Sequence, residues 1–164
     1  MQGPDIAFGA TLLFVLLAIA IVDFRSLVIP DALNGLLAAL GLGWAWRAAG
    51  AFPIWQIVFA AGLLTLFWLM RAGFLSLRKV AGLGLGDVKM AGACALWFSP
   101  WNLPIFLFLT AISALLYVAL RASVSGRLDR NARVPFGPFL GMGLFATWLA
   151  EQSGIATFIP DRGF

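Results

Sequence analysis

The chain has 164 residues, 62% of them hydrophobic and only 11% charged, with a mean hydropathy of +0.98. An ordinary soluble domain is roughly half apolar and about a quarter charged, and a chain this short exposes too large a share of its surface to hide the excess. This argues against a soluble enzyme, a nucleic-acid-binding domain or a disordered tail, and the net charge of +4 reads first as membrane topology.

Spanning a bilayer takes about 20 apolar residues. Six runs qualify as helices, at roughly residues 6–22, 32–49, 54–77, 88–98, 104–120 and 136–150. The predicted fold is all-α: a polytopic membrane protein of about six transmembrane helices in one domain, residues 1–164. The opening Met1-Gln2-Gly3-Pro4-Asp5 has no Lys or Arg, so the first run reads as a retained helix and not a signal peptide.

Helix one ends at Asp23, with Arg25 just beyond. At 1.5 Å per residue the run is about 26 Å long, which puts Asp23 near the inner boundary of the hydrocarbon. Pairing with Arg25 or simply ending the helix would explain it equally well. After the turn Ile29-Pro30, Asp31 fits the N-cap of helix two, and Asn34 suits a structural or polar-network role. Gly50-Ala51-Phe52-Pro53 leads to helix three, with Trp55 at its start.

Gly82-Leu83-Gly84-Leu85-Gly86 then precedes Asp87. So many glycines do not continue a comfortable helix, and non-helical backbone at membrane depth must be buried in protein or line a wet cavity. Only ten residues separate Asp87 from Trp97. If Trp97, with Trp101 and Trp55, marks the outer interface, helix four is half-length and Asp87 lies at depth beside a water-accessible pocket. An intramembrane carboxylate is by default a functional-site hypothesis; the plainer reading is an N-cap after a glycine turn. Lys89, two positions on, faces away from Asp87 and either snorkels or meets an acid on a substrate.

Helix six opens with Val134-Pro135-Phe136-Gly137-Pro138-Phe139-Leu140. Proline suits a first helical turn, and Pro135 and Pro138 flanking Gly137 also form a stiff backbone against which an extended peptide can lie. Glu151 ends the helix and is expected only to meet the outer interface. Asp5, Asp129 and Asp161 fall in terminal or loop segments, where solvation suffices.

Nine of the 11 basic residues follow helices one, three and five. They are Arg25; Arg71, Arg78, Lys79 and Lys89; and Arg121, Arg127, Arg130 and Arg133. Arg47 and Arg162 sit on the other side. The odd-numbered connections are therefore expected in the cytoplasm, with both termini outside.

A single cysteine, Cys94, and no histidine leave no parts for a disulfide, a Cys-rich zinc site, a His-ligated metal or a His-based triad. Nor is there a phosphate-binding Gly-x-x-x-x-Gly-Lys motif. Two aspartates converging in a low-dielectric pocket can instead share one proton, because like charges so close cannot both ionise. One activates water as general base while the other protonates a carbonyl oxygen. Such peptide hydrolysis needs no metal or cofactor. A small proton-coupled transporter gated by Asp87 is the alternative.

The segments from Asp23 to Asp31, Gly84-Leu85-Gly86-Asp87-Val88-Lys89 and Pro135-Phe136-Gly137-Pro138-Phe139-Leu140 resemble those of type IV prepilin peptidases, which are GxGD intramembrane aspartic proteases. The resemblance implies that Asp23 and Asp87 are the catalytic pair. Gly84, Gly86, Lys89, Asp31, Pro135, Gly137 and Pro138 would support the site or bind substrate, and no metal is expected. It further implies a bacterial inner-membrane enzyme that cuts the leader of a prepilin or pseudopilin at the cytoplasmic face, without a role for nucleic acid. The larger bifunctional members carry an added segment with paired cysteines and also N-methylate. With only Cys94, this sequence resembles the short peptidases of tight-adherence (Flp-type) pilus systems, for which methylation is not expected.

Overall fold

In the computed structural model of the chain, residues 3–78, 82–125 and 134–154 are described. Lys79, Arg127, Asp129, Arg130, Arg133, Asp161 and Arg162 lie outside the described residues. Among the described residues six α-helices form: α1 (Gly3–Ser26), α2 (Asp31–Ala49), α3 (Ile54–Arg78), α4 (Leu85–Cys94), α5 (Leu103–Ser125) and α6 (Gly137–Gln152). A 3₁₀ turn, Pro100–Asn102, leads into α5, and no strand occurs among the described residues.

Three of these helices, over Asp5–Ser26, Ile54–Leu77 and Pro100–Val124, are long and apolar enough to cross a bilayer by themselves. Six helices, the fourth of them short, match the expected polytopic all-α architecture. At 10 and 16 residues, α4 and α6 fall short of the needed length, and both are packed among other helices. α4 lies against α2, α3 and α6, α1 against α2 and α6, and α5 against α6. The long helices α3 and α5 thus flank a core of α1, α2, α4 and α6.

α1 shows how such a helix is oriented without a polar face. Leu12, Val15, Leu16 and Ile19 are buried at helical spacing, while Phe14, Leu17, Ile21 and Phe24 are each more than half exposed. Both stripes are apolar, so the exposed one has a lipid environment and not water. The buried stripe continues at the next helical step to Asp23.

Contacts between helix ends define an up-and-down bundle. At one end the start of α1 meets the end of α2 through Asp5 and Arg47, 3.0 Å apart. At the other, the end of α1 lies beside the starts of α4 and α6, as described below. Arg71 and Lys89 make their contacts at this second end.

The shortness of α4 has a clear structural basis. Beyond Cys94 the chain leaves the helix yet stays buried through Phe98, so its carbonyls need partners inside the protein. Gln56 of α3 supplies them, its side-chain amide donating to the carbonyls of Ala95 (2.7 Å) and Phe98. Trp97 is 1% exposed and its indole N–H donates to the Leu37 carbonyl of α2 at 3.0 Å. It is a core anchor, which corrects its placement in the interfacial belt; Trp55 and Trp101 are exposed.

Glu151 also does more than meet an interface. Its Oε2 accepts the Ser99 N–H and the Asn102 side-chain amide, both at 2.9 Å, and so ties the α4–α5 connection to α6. Glu151→Ala would strand both donors and is expected to cost about 2 kcal/mol. Thermal unfolding in detergent should show the loss, with Glu151→Gln, which keeps an acceptor oxygen, much closer to wild type.

Candidate active site

Asp23 sits on the buried stripe of α1, 4% exposed. α1 continues past it to Ser26, so Asp23 does not end the helix. The chain leaves α1 through Leu27, whose φ of 54° is left-handed and sparsely populated by residues with a side chain. Among the described residues the Asp23 carboxylate is held not by Arg25 but by the Gly137 N–H, which donates to Oδ2 at 2.9 Å. That N–H is one of the donors a helix start leaves unpaired, and the positive end of the α6 dipole favours an anion there.

Gly137 is required by close approach. A Cβ at this position would lie 3.0 Å from Asp23 Oδ2 and 3.0 Å from Ile29 Cδ1. Pro138 follows in the first turn of α6, where a missing N–H costs nothing. Pro135, Gly137 and Pro138 are all buried. The segment therefore holds Asp23.

Asp87 lies in the first turn of α4, but it is not the N-cap; Gly84 is. Asp87 reaches back so that Oδ2 accepts the Gly84 N–H at 3.1 Å, the acidic half of a capping box. The capping expectation is thus partly right, but it occupies one oxygen only. Gly86 brings α4 against the α1–α2 connection: a Cβ there would meet Ile29 Cβ at 3.0 Å and the Ile29 backbone N at 3.3 Å. Ile29, 4% exposed, is therefore a wedge shared by the starts of α4 and α6. Asp23, held by Gly137, and Asp87, next to Gly86, thus both adjoin this junction.

The remaining predicted residues take other roles. Asp31 makes no side-chain cap, because Pro30 occupies the N-cap position of α2. Asp31 instead pairs with Lys89, with Nζ 2.7 Å from Oδ1. The acid that Lys89 meets belongs to its own chain. Both side chains are substantially exposed, so the pair adds little stability.

Two residues near Asp87 escaped sequence reasoning in these roles. The Asn34 side-chain amide donates to the Gly86 carbonyl at 3.1 Å, and the Arg71 guanidinium donates to the Leu83 carbonyl. Arg71 carried a readable signal, a cation inside the apolar run 54–77, although counting it among loop charges hid it. Among the described residues no three His, Cys, Asp or Glu side chains are grouped as metal ligands. Two neighbouring carboxyls can hold one proton between them, providing a base for water and an acid for a carbonyl oxygen.

The type IV leader peptidase family matches residues 10–119, a stretch containing Asp23 and Asp87. A prepilin leader peptidase/N-methyltransferase of Burkholderia pseudomallei (strain 1026b) is 33% identical over 147 residues, covering 86% of this chain and 45% of the relative. The protein of that name from Escherichia coli (strain K12) is 31% identical over 147 residues, covering 84% and 61%. That from Dichelobacter nodosus is 26% identical over 154 residues, covering 88% and 49%. The chain spans about half the length of the curated relatives it matches, and no solved structure matches it. With the family match extending over well more than half of its length, this chain belongs to the type IV leader peptidase family.

Proposed function

We propose that the protein is a membrane aspartic endopeptidase that removes the leader peptide of type IV prepilin-like precursors, with Asp23 and Asp87 as its catalytic pair. The observation that carries this reading is the junction at Ile29, which packs against Gly86, next to Asp87, and against Gly137, whose N–H binds Asp23, so that the end of α1 and the start of α4 meet there. The names of the relatives, prepilin leader peptidase/N-methyltransferase, support the substrate class; the proposal covers cleavage alone.

Each aspartate has Oδ2 committed to a backbone N–H, from Gly137 or Gly84. An oxygen accepting such a bond is not the protonated one, which leaves the two Oδ1 atoms to hold the shared proton and position water. The ionised member takes a proton from water as it attacks the scissile carbonyl. The protonated member donates to the carbonyl oxygen, giving a gem-diol; as the C–N bond breaks, the former base passes its new proton to the leaving amine and the other aspartate takes a proton back from the gem-diol, so that the pair again holds one proton.

The site is assigned to the cytoplasmic side of a bacterial inner membrane, with both termini outside. The concentration of Arg and Lys after helices one, three and five supports that orientation.

Co-expression with candidate precursors, Flp-type tight-adherence pilins among them, tests the reading through the mass of the new N-terminus. Loss of the leader only when the protein is present is expected. Precursors that all stay intact, or solute flux in proteoliposomes without cleavage, would overturn it.

The pH dependence has a required shape. At low pH both carboxyls are protonated and no base remains; at high pH both are ionised and no acid remains. Initial rates should therefore rise and fall in a bell, reporting two apparent values that belong to the pair. A flat profile in a preparation that stays folded throughout contradicts a shared proton.

A further inference from the structure

Asp87 stands in the first turn of a ten-residue helix with a glycine-rich entry. Gly84 and Gly86 restrict the backbone least of any residue, and the helical bond at the entry, from the Val88 N–H to the Gly84 carbonyl, is long at 3.3 Å. The bond from the Gly84 N–H to Asp87 Oδ2 is internal: it shapes the turn, but it moves with the turn. Contacts from other helices therefore add to the placement of this turn.

Two side chains do so from different sides. Arg71 of α3 donates to the carbonyl of Leu83, and Asn34 of α2 donates to the carbonyl of Gly86 at 3.1 Å. These carbonyls straddle the start of α4, and Asp87 follows the second directly. Ile29 blocks Gly86 from a third side. Neither polar group is a casual surface contact. Asn34 is 5% exposed, and Arg71 is half-buried inside a 25-residue apolar helix, where a cation is costly and marks function by default. Its planar fork is well suited to fixing a carbonyl in direction as well as distance.

We infer that Arg71 and Asn34 form a two-point clamp on the Leu83–Gly86 backbone that sets the position of the Asp87 carboxyl opposite Asp23. Both are positioning residues, and the inference rests on the function proposed above. The clamp acts on the geometry of the reacting groups and not on substrate affinity, so it should govern kcat and leave KM nearly unchanged. Displacement of a catalytic group by about 1 Å can cost on the order of 10²-fold.

The test uses the full chain purified in detergent and a precursor that the wild type cleaves. Arg71→Ala and Asn34→Ala are each expected to lower kcat at least about tenfold with KM within about threefold. Arg71→Lys, which keeps a donor on a similar stem, should be faster than Arg71→Ala. A purely structural role would reduce the yield of folded protein but leave kcat per folded molecule, and its order among the three variants, unaffected. Wild-type kcat in either alanine variant, or equal rates for Arg71→Lys and Arg71→Ala, overturns the clamp. If Arg71→Ala does not fold, Asn34→Ala and Arg71→Lys decide: both must turn over more slowly than wild type. Asp87→Asn run in parallel separates the two ideas. If that variant still cuts, the function assignment fails; if it is inactive while the clamp variants run at full rate, only the clamp fails.

Discussion

Asp23→Asn and Asp87→Asn should each reduce leader cleavage by at least about 10³-fold while leaving the protein inserted and folded. The amide is nearly isosteric with the carboxyl and keeps an oxygen that can accept the Gly137 N–H at Asp23 or the Gly84 N–H at Asp87. Local structure therefore persists. What disappears is the ability to hold and release a proton, and with one member unable to titrate the pair has no base or no acid. Cleavage of a precursor by membranes carrying equal amounts of each variant measures the effect, with the mass of the product as readout. Full activity in either variant would remove it from the chemistry.

Gly137→Ala should be nearly as damaging, by about 10²-fold in rate, although alanine carries no chemistry. The added methyl would stand 3.0 Å from Asp23 Oδ2 and 3.0 Å from Ile29 Cδ1, tighter than ordinary contact. Relief requires α6 to move away from α1 or the Asp23 side chain to rotate. Either movement lengthens the bond from the Gly137 N–H and shifts one carboxyl relative to the other. Alanine is also a better helix former than glycine, so thermal stability should fall far less than activity does. Wild-type turnover in this variant would show that the contact between α6 and Asp23 does not set the geometry of the reaction.

Much of the architecture was legible because hydrophobic periodicity and punctuation carry it. The helix starts at 31 and 54 and the short fourth helix follow directly from Pro30, Pro53 and the glycines at 82, 84 and 86. The inner face of α1 was not legible in this way, because both of its stripes are apolar and only packing shows that Asp23 lies on the buried one. Other features depend on partners distant in the chain. A tryptophan near the end of an apolar run reads equally as an interfacial anchor or a core residue. Only the carbonyl of Leu37, 60 residues away, decides for Trp97. The same holds for Glu151, whose two donors lie 52 and 49 residues earlier.

Gly137 illustrates the limit most clearly. Its place among prolines reads as helix-start chemistry, and that part is local. Its service to Asp23 spans 114 residues and exists only because α6 packs on α1. Likewise Asp31 in a first turn suggests a cap, yet Pro30 takes the cap position and α4 brings Lys89 within 2.7 Å.

The account depends on Asp23 and Asp87 facing one another, and a thiol cross-link tests that most directly. Cys94 is fully buried, and its peptide is told apart by mass from those carrying the two thiols introduced in the double variant Asp23→Cys, Asp87→Cys. Treatment with a short bifunctional thiosulfonate, followed by proteolysis and mass determination, should yield one peptide pair joining the end of α1 to the start of α4. Two thiols that each react with a small monofunctional reagent but are never joined by the bifunctional one would contradict a shared site.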